Sequence, residues 1–279
     1  MNNTSIQAPK GQYLSKELIQ RVAPSVFASE AHESRSDRYA YIPTIDVVMA
    51  LFKEGFLPVM ASQSLTRNES KRDFTKHMLR FRHRNDVAKT AVVGDTVNEV
   101  VLVNSHDGSS SYLLTAGVFR FVCSNGMIVP ANLVGDIHVR HTGNIIDNVI
   151  EGSYRIIEDT MQVTGSIDRM KAIAMTPDER TALSIASLDL RYGRDEANNL
   201  LGPITPDSAL RPRRWDDNGT DLWSTFNVLQ ENLTKGGQHG RASNGNRATT
   251  RAINGIDGTL SLNKELWALA DAFAQMKMM

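Results

Sequence analysis

The chain is cut twice in its middle by short turn sequences, His106-Asp107-Gly108-Ser109 and Ser124-Asn125-Gly126. The first lies between apolar runs at residues 97–103 and 112–115, the second between runs at 119–123 and 127–129. A parallel pair of strands needs a crossover of a dozen residues or more, so runs this close must pair antiparallel, as hairpins. Residues 137–141 supply a plausible last strand of the same sheet. Two earlier segments also alternate with period two. Val59, Ala61 and Gln63 alternate with Met60, Ser62 and Ser64. His77, Leu79, Phe81 and His83 fall on one strand face, and Met78, Arg80, Arg82 and Arg84 on the other.

Elsewhere the period is helical. Ser15 caps a short helix through Val22, stopped by Pro24, and Thr44 caps a second that carries Ile45, Val48, Met49 and Phe52 and ends at Gly55. Beyond residue 144, Ile146, Val149, Ile150, Ile156, Ile157 and Met161 describe a long amphipathic helix that can reach Met170. Thr176-Pro177-Asp178-Glu179 is a helix start, with a capping threonine, a proline in the first turn and acids at the positive dipole end. Residues 202–219, with three prolines and Arg211, Arg213 and Arg214, read as a connection. Two more helices carry matching stripes, Leu222, Phe226, Leu229, Leu233 and Leu262, Leu266, Leu269, Phe273. The expected fold is α+β: a mostly antiparallel sheet in the N-terminal half and a helical C-terminal half packed on it. Residues 1–36 form a tail and short helix, 37–144 the sheet region, and 145–279 the helical region, which can share one domain with the sheet.

Charge excludes little, because Lys plus Arg equals Asp plus Glu at 31 each. A binding site for an anion must therefore come from uneven placement. The single cysteine, Cys123, rules out an internal disulfide and fits a reducing compartment. The first residues show no basic segment followed by an apolar one, and no run approaches the ~20 apolar residues of a membrane span, so a cytoplasmic location with no membrane partner is expected.

Catalytic patterns are missing. Gly236-Gly237-Gln238-His239-Gly240 lacks the lysine and the preceding strand of a phosphate-binding loop. There is no HExxH and no paired CxxC, and His138 and His141 fall on opposite faces of a strand, where they cannot share a metal. Cys123 shares a face with Phe119 and Phe121 and reads as a small buried apolar residue. No enzyme activity, metal or organic cofactor is expected.

The basic residues are the lead. Arg67, Lys71, Arg72, Lys76, Arg80, Arg82, Arg84 and Lys89 stand against Glu69, Asp73 and Asp86. Alternation puts Arg80, Arg82 and Arg84 in a row, and guanidinium forks at every second residue of a solvated strand face can meet successive phosphates. A second basic segment, the Gly- and Asn-rich loop at residues 235–258, holds Lys235, Arg241, Arg247 and Arg251 and has no acid between Glu231 and Asp257. With few large apolar residues to bury, this loop is expected to be more mobile than the helices beside it. Aromatics make up 6% of the chain, and no basic strand is studded with them in the manner of base-stacking binders.

Several segments carry a family resemblance. Tyr41-Ile42-Pro43-Thr44-Ile45-Asp46-Val47-Val48, Phe52-Lys53-Glu54-Gly55-Phe56 and Pro58-Val59-Met60-Ala61 resemble the YafZ/YfjQ/YubP family of bacterial prophages and conjugative plasmids. So do Glu69-Ser70-Lys71-Arg72, Thr75-Lys76-His77-Met78-Leu79-Arg80 and Phe121-Val122-Cys123-Ser124-Asn125-Gly126-Met127. Asn227-Val228-Leu229-Gln230-Glu231-Asn232 and Leu262-Asn263-Lys264-Glu265-Leu266-Trp267 extend the resemblance to about residue 275. It implies a mobile-element setting and assigns no catalytic residue, the family being one of unknown function. Two readings result. In the favoured one the chain binds nucleic acid, single-stranded DNA in preference, through the basic strand and the 235–258 loop; its order of elements loosely resembles single-strand annealing proteins of the Rad52-like type. In the alternative it is an anti-defence protein that binds and inhibits a host protein. Homo-oligomerisation is compatible with either.

Overall fold

A computed structural model of the chain describes residues 5–30, 32, 41–87, 96–120, 125–141, 144–242 and 245–278. In chain order the first elements are β1 (Ser5–Gln7), α1 (Lys16–Val22), α2 (Thr44–Lys53), β2 (Phe56–Gln63), β3 (His77–His83) and α3 (Arg84–Val87). They are followed by β4 (Thr96–Asn104), β5 (Tyr112–Arg120), β6 (Asn125–Ile128), β7 (Ile137–Val139) and α4 (Ile145–Ala172). The strands form one sheet in the order β1-β2-β3-β4-β5-β6. β7 lies on the same flank of β5 as β6, pairing Tyr112 to Leu114 while β6 pairs Gly117 to Arg120. Every pairing is antiparallel, as the short connections require.

Local signals set most of the boundaries. The Ser15 side chain accepts from the Leu18 N–H at 3.3 Å and caps α1. Gly55, at φ +90°, ends α2 in the left-handed region that glycine enters without strain. Pro58 sits at a break in β2–β3 register between Pro58 and Met60, where a residue without an N–H is tolerated.

Two local expectations are corrected. Thr44 is the first helical residue of α2, not its cap; Pro43 occupies the cap position, with no side-chain hydrogen bond. The Thr44 hydroxyl is buried and turned to other partners. Asn125 and Gly126 are not a turn but the first residues of β6, opposite Arg120 and Phe119. Residues 121–124, between β5 and β6, lie outside the described residues, and Cys123 with them.

The sheet is covered on both faces. Leu79, Phe81, Val100 and Leu102 are buried on one face, and Met78, Val101, Val103 and Phe119 on the other. A strand buried on both sides reads as a nearly continuous apolar run, as β4 and β5 do.

The described chain divides into two compact units, Met1–Thr160 and Met161–Met279, the division falling within α4. The second unit contains α5 (Pro177–Tyr192), α6 (Pro206–Ala209), α7 (Leu222–Lys235), a two-stranded hairpin of β8 (His239–Arg241) and β9 (Arg247–Thr249), and α8 (Ile256–Met278). Thr176 and Glu179 form a reciprocal capping box at the start of α5. α7 is buried on nearly all sides, polar residues included. Its Trp223 and Phe226 pack with Trp267 of α8 at ring separations of 5.6–5.7 Å. Gln230 donates to Asn263 Oδ1 at 2.6 Å, which satisfies two amides that would otherwise be costly to bury. Among the described residues no helix is long and apolar enough to cross a membrane.

Candidate nucleic-acid interface

The arginine row of β3 is not a surface. Arg80 and Arg82 are each 4% exposed, on either side of Glu99, which is 0% exposed. Arg80 Nε donates to Glu99 Oε2 and Arg82 Nε to Glu99 Oε1, the latter at 2.7 Å. Arg80 also donates to the Met127 carbonyl at 3.0 Å, and the Arg82 guanidinium lies 3.9 Å over the Phe119 ring. Burial pulls the Arg80 guanidinium below its ordinary value, and Glu99 opposes that shift. The expectation that Arg80, Arg82 and Arg84 present three charges to solvent is thus corrected. Alternation placed Arg80 and Arg82 on one face, but that face is covered, and an internal carboxylate takes up both cations. Arg84 leaves the row altogether; it is exposed at the start of α3.

Glycine 126 follows from the same cluster. A Cβ built there would overlap the Arg80 guanidinium, and one on Gly117 would stand 2.7 Å from Arg80 Nη2. The two glycines leave the space that Arg80 fills, a requirement of packing and not of turn geometry.

Of the other basic residues singled out in the sequence, Lys89 lies outside the described residues, and Arg67, Lys71, Arg72 and Lys76 are scattered about a 3-10 segment, Glu69–Phe74. Arg67 and Arg72 are exposed, Lys71 and Lys76 half-buried, and Glu69 and Asp73 are interleaved with them. The backbone carbonyl of Arg72 accepts from Gln63 Nε2 at 2.8 Å, so the segment is fixed to the sheet.

Residues 235–258 are not a loose loop. β8 pairs β9 with His239 opposite Thr249, Gly240 opposite Ala248 and Arg241 opposite Arg247. The hairpin is bonded into the unit: Arg241 N–H donates to Pro203 O at 2.7 Å, Thr250 N–H to Gln238 O at 2.9 Å, and Ile253 N–H to Thr234 O at 2.9 Å. Gly240 is required where the ribbon crosses residue 203, because a Cβ there would overlap the Pro203 carbonyl. Asn232, at the end of α7, ties the pieces together. Its amide donates to Ala209 O and Arg211 O, and its Oδ1 accepts from Arg213 Nε and Gln238 Nε2. The expectation of an irregular loop is corrected accordingly. In the ligand-free protein the amides of Arg241 and Thr250 should exchange at least tenfold more slowly than unstructured amides, and Gly240→Ala should abolish that protection. Exchange at unstructured rates in the unsubstituted chain would contradict the bonded hairpin.

Fixed in this way, the hairpin presents Arg241, Arg247 and, beyond the strand, Arg251, all exposed. Arg241 donates to Gly245 O at 3.0 Å, and none of the three has an acidic partner among the described residues.

Sequence reasoning missed a buried polar chain in the first unit. His77, His106 and His141 lie with Ser25, Gln63, Thr44 and Asn104, all buried. Ser25 Oγ–H donates to Gln63 Oε1 at 2.8 Å, so its lone pair accepts from His77 Nδ1–H at 2.9 Å. The bare Nε2 of His77 then accepts from the Thr44 hydroxyl at 3.0 Å. Thr44 accepts in turn from Asn104 Nδ2 at 3.1 Å and from His106 Nε2 at 2.9 Å, which fills both lone pairs. His141 Nε2 donates to Asn104 Oδ1 at 3.0 Å. This pattern of donors and acceptors is the one in which His77 is neutral, with its proton on Nδ1. Burial, reinforced by the neighbouring His106, lowers the His77 pKa to about 3. Burial, reinforced by His141, lowers that of His106 to about 4, and burial lowers His141 as well. The signal was present only as a histidine in a turn and a threonine at a helix start. Among the described residues no group of three or more His, Cys, Asp and Glu is placed to hold a metal.

Residues 31–267 match a family model described as "Domain of unknown function (DUF932)". The chain is 43% identical to UPF0380 protein YafZ of Escherichia coli (strain K12) over 93% of its own length and 91% of that protein's. It is also 43% identical to UPF0380 protein YfjQ of the same strain, over 92% and 90% respectively. No solved structure matches.

Proposed function

The chain belongs to the DUF932 family, and from that premise we propose that it is a nucleic-acid-binding protein whose contacts run through the β8–β9 hairpin. Single-stranded DNA is the favoured ligand, and a phage or plasmid product acting in the cytoplasm is the setting. The observation that carries the reading is the cross-strand pair Arg241–Arg247. Like charges directly opposite on a ribbon destabilise it, by roughly 0.2–1 kcal/mol. Here the pair is exposed, is followed by Arg251, and lies in a stretch without an acid from Glu231 to Asp257. A polyanion converts that repulsion into binding energy and supplies the countercharge the fold withholds. A rigid ribbon also holds its cations at fixed spacing, so little entropy is lost when phosphates dock.

The test is salt-dependent binding of nucleic-acid-free protein to labelled oligonucleotides. Each phosphate contact to a single strand adds about −0.7 to the slope of log affinity against log salt. Arg241→Gln with Arg247→Gln should therefore weaken binding to all sequences and flatten the slope by roughly 1.4. Thermal stability should be unchanged or slightly raised, since a repulsive pair is removed. Absence of salt-sensitive binding to single- or double-stranded DNA or RNA overturns the reading. Capture of a host defence protein by the same preparation would then favour an anti-defence role.

A further inference from the structure

We propose that Trp215 is a base-stacking residue that seats one unstacked base of a single strand beside the hairpin; this rests on the nucleic-acid reading above and deepens it. Of the three tryptophans, Trp223 and Trp267 are buried and Trp215 is 87% exposed. Exposure of so large an aromatic surface in a fixed backbone is unusual, and this backbone is fixed. Arg213 donates through Nε to Asn232 Oδ1 at 2.7 Å and through Nη2 to the Gly236 carbonyl. Arg214 pairs with Glu231 and, at 3.3 Å, with Asp217. The two residues before Trp215 are thus pinned to the end of α7, at the point where the hairpin begins.

The same ties bring the indole and the ribbon to one part of the second unit. Asn232 accepts from both Arg213 and Gln238, the latter one residue before β8. An exposed indole on a tied backbone, in the same unit as the exposed hairpin arginines, supplies the two chemistries of a single-strand binder, a π surface for a base and cations for its backbone. Asp217 is neutralised by Arg214, and Asp216 is the remaining exposed acid of the segment. In a duplex the bases are already stacked on one another, so the indole has a ligand only where a strand is single. The ligand class is accordingly single-stranded nucleic acid with no demand on base identity, since every base offers a π face.

The experiment uses the full chain, with Trp215→Ala and Trp215→Phe, against an oligothymidylate and an abasic oligomer of equal length and charge. Stacking is worth roughly 1–3 kcal/mol per base, so Trp215→Ala should bind the oligothymidylate about tenfold more weakly, Trp215→Phe should recover part of the loss, and neither should change binding to the abasic strand. Tryptophan emission of the unsubstituted protein should be quenched by the oligothymidylate and not by the abasic strand. Equal affinity of Trp215→Ala and the unsubstituted protein for the oligothymidylate overturns the stacking proposal. If salt-sensitive binding persists in that case, the hairpin reading stands alone. Equal losses on both oligomers also overturn it, because the residue would then support the fold and not the base. If the unsubstituted protein binds neither oligomer nor any other nucleic acid, both readings fall together.

Discussion

Glu99→Gln is expected to destabilise the first unit by about 3–5 kcal/mol, the usual consequence of removing one partner from a buried charge cluster. Glu99 is fully buried and bonded to two guanidinium groups through its two oxygens. Glutamine keeps the shape but removes the carboxylate charge that faces both guanidinium groups, and its amide end can only donate where an arginine also donates. In a unit of this size the loss corresponds to a fall in melting temperature on the order of 10 °C. Gly126→Ala should act in the same direction, since the added Cβ displaces the Arg80 guanidinium from Glu99 and from the Met127 carbonyl. Joint replacement of Arg80, Glu99 and Arg82 by methionine or leucine should recover most of the stability, because no charge of this cluster is then left buried. Thermal and denaturant unfolding of the three variants checks this. A Glu99→Gln protein as stable as the unsubstituted chain would show that the cluster is not balanced by that carboxylate.

Acidification should have an effect of similar size, confined to a different pH window. His77 and His106 are neutral in the folded chain, with pKa values of about 3 and about 4. In the unfolded chain each titrates near 6.5. Their folded values are depressed, so the unfolded state binds more protons between those limits, and stability falls as pH falls from about 6.5 towards 4. Each histidine contributes a loss of about 1.4 kcal/mol per pH unit in that window, or roughly 2 kcal/mol by pH 5, and the two together about 4 kcal/mol. The structure gives the reason in bonds. Both lone pairs of Thr44 are already filled, so a proton on His77 Nε2 would face a hydroxyl with nothing left to accept it. Stability measured by far-UV circular dichroism in denaturant between pH 7 and pH 4 tests the claim. His77→Gln should reduce the slope by about one proton. A flat profile from pH 7 to pH 5 would refute neutral burial of the pair.

What the sequence by itself determined is local or periodic. Antiparallel pairing was legible because the connections around His106 and Asn125 are too short for a crossover. The helix starts at Ser15 and Thr176 were legible because cap and partner lie within three residues. The stripe of α7 was legible because Leu222, Phe226, Leu229 and Leu233 repeat at the period of a helix. Tertiary structure alone decided which faces meet water. The alternation at Arg80 and Arg82 is the same whether the next layer is solvent or a carboxylate, and that carboxylate, Glu99, comes from the next strand. It also decided that Thr44 joins His106 across 62 residues instead of capping its own helix. Gly240 reads as a flexible-loop glycine until Pro203 is seen against it, and the hairpin arginines gain their fixed spacing from that contact and from Asn232. The common cause is range. Backbone periodicity and capping are set by neighbours within a turn or two, whereas burial and charge compensation depend on which distant segment supplies the opposing atoms, and a linear pattern carries no record of that.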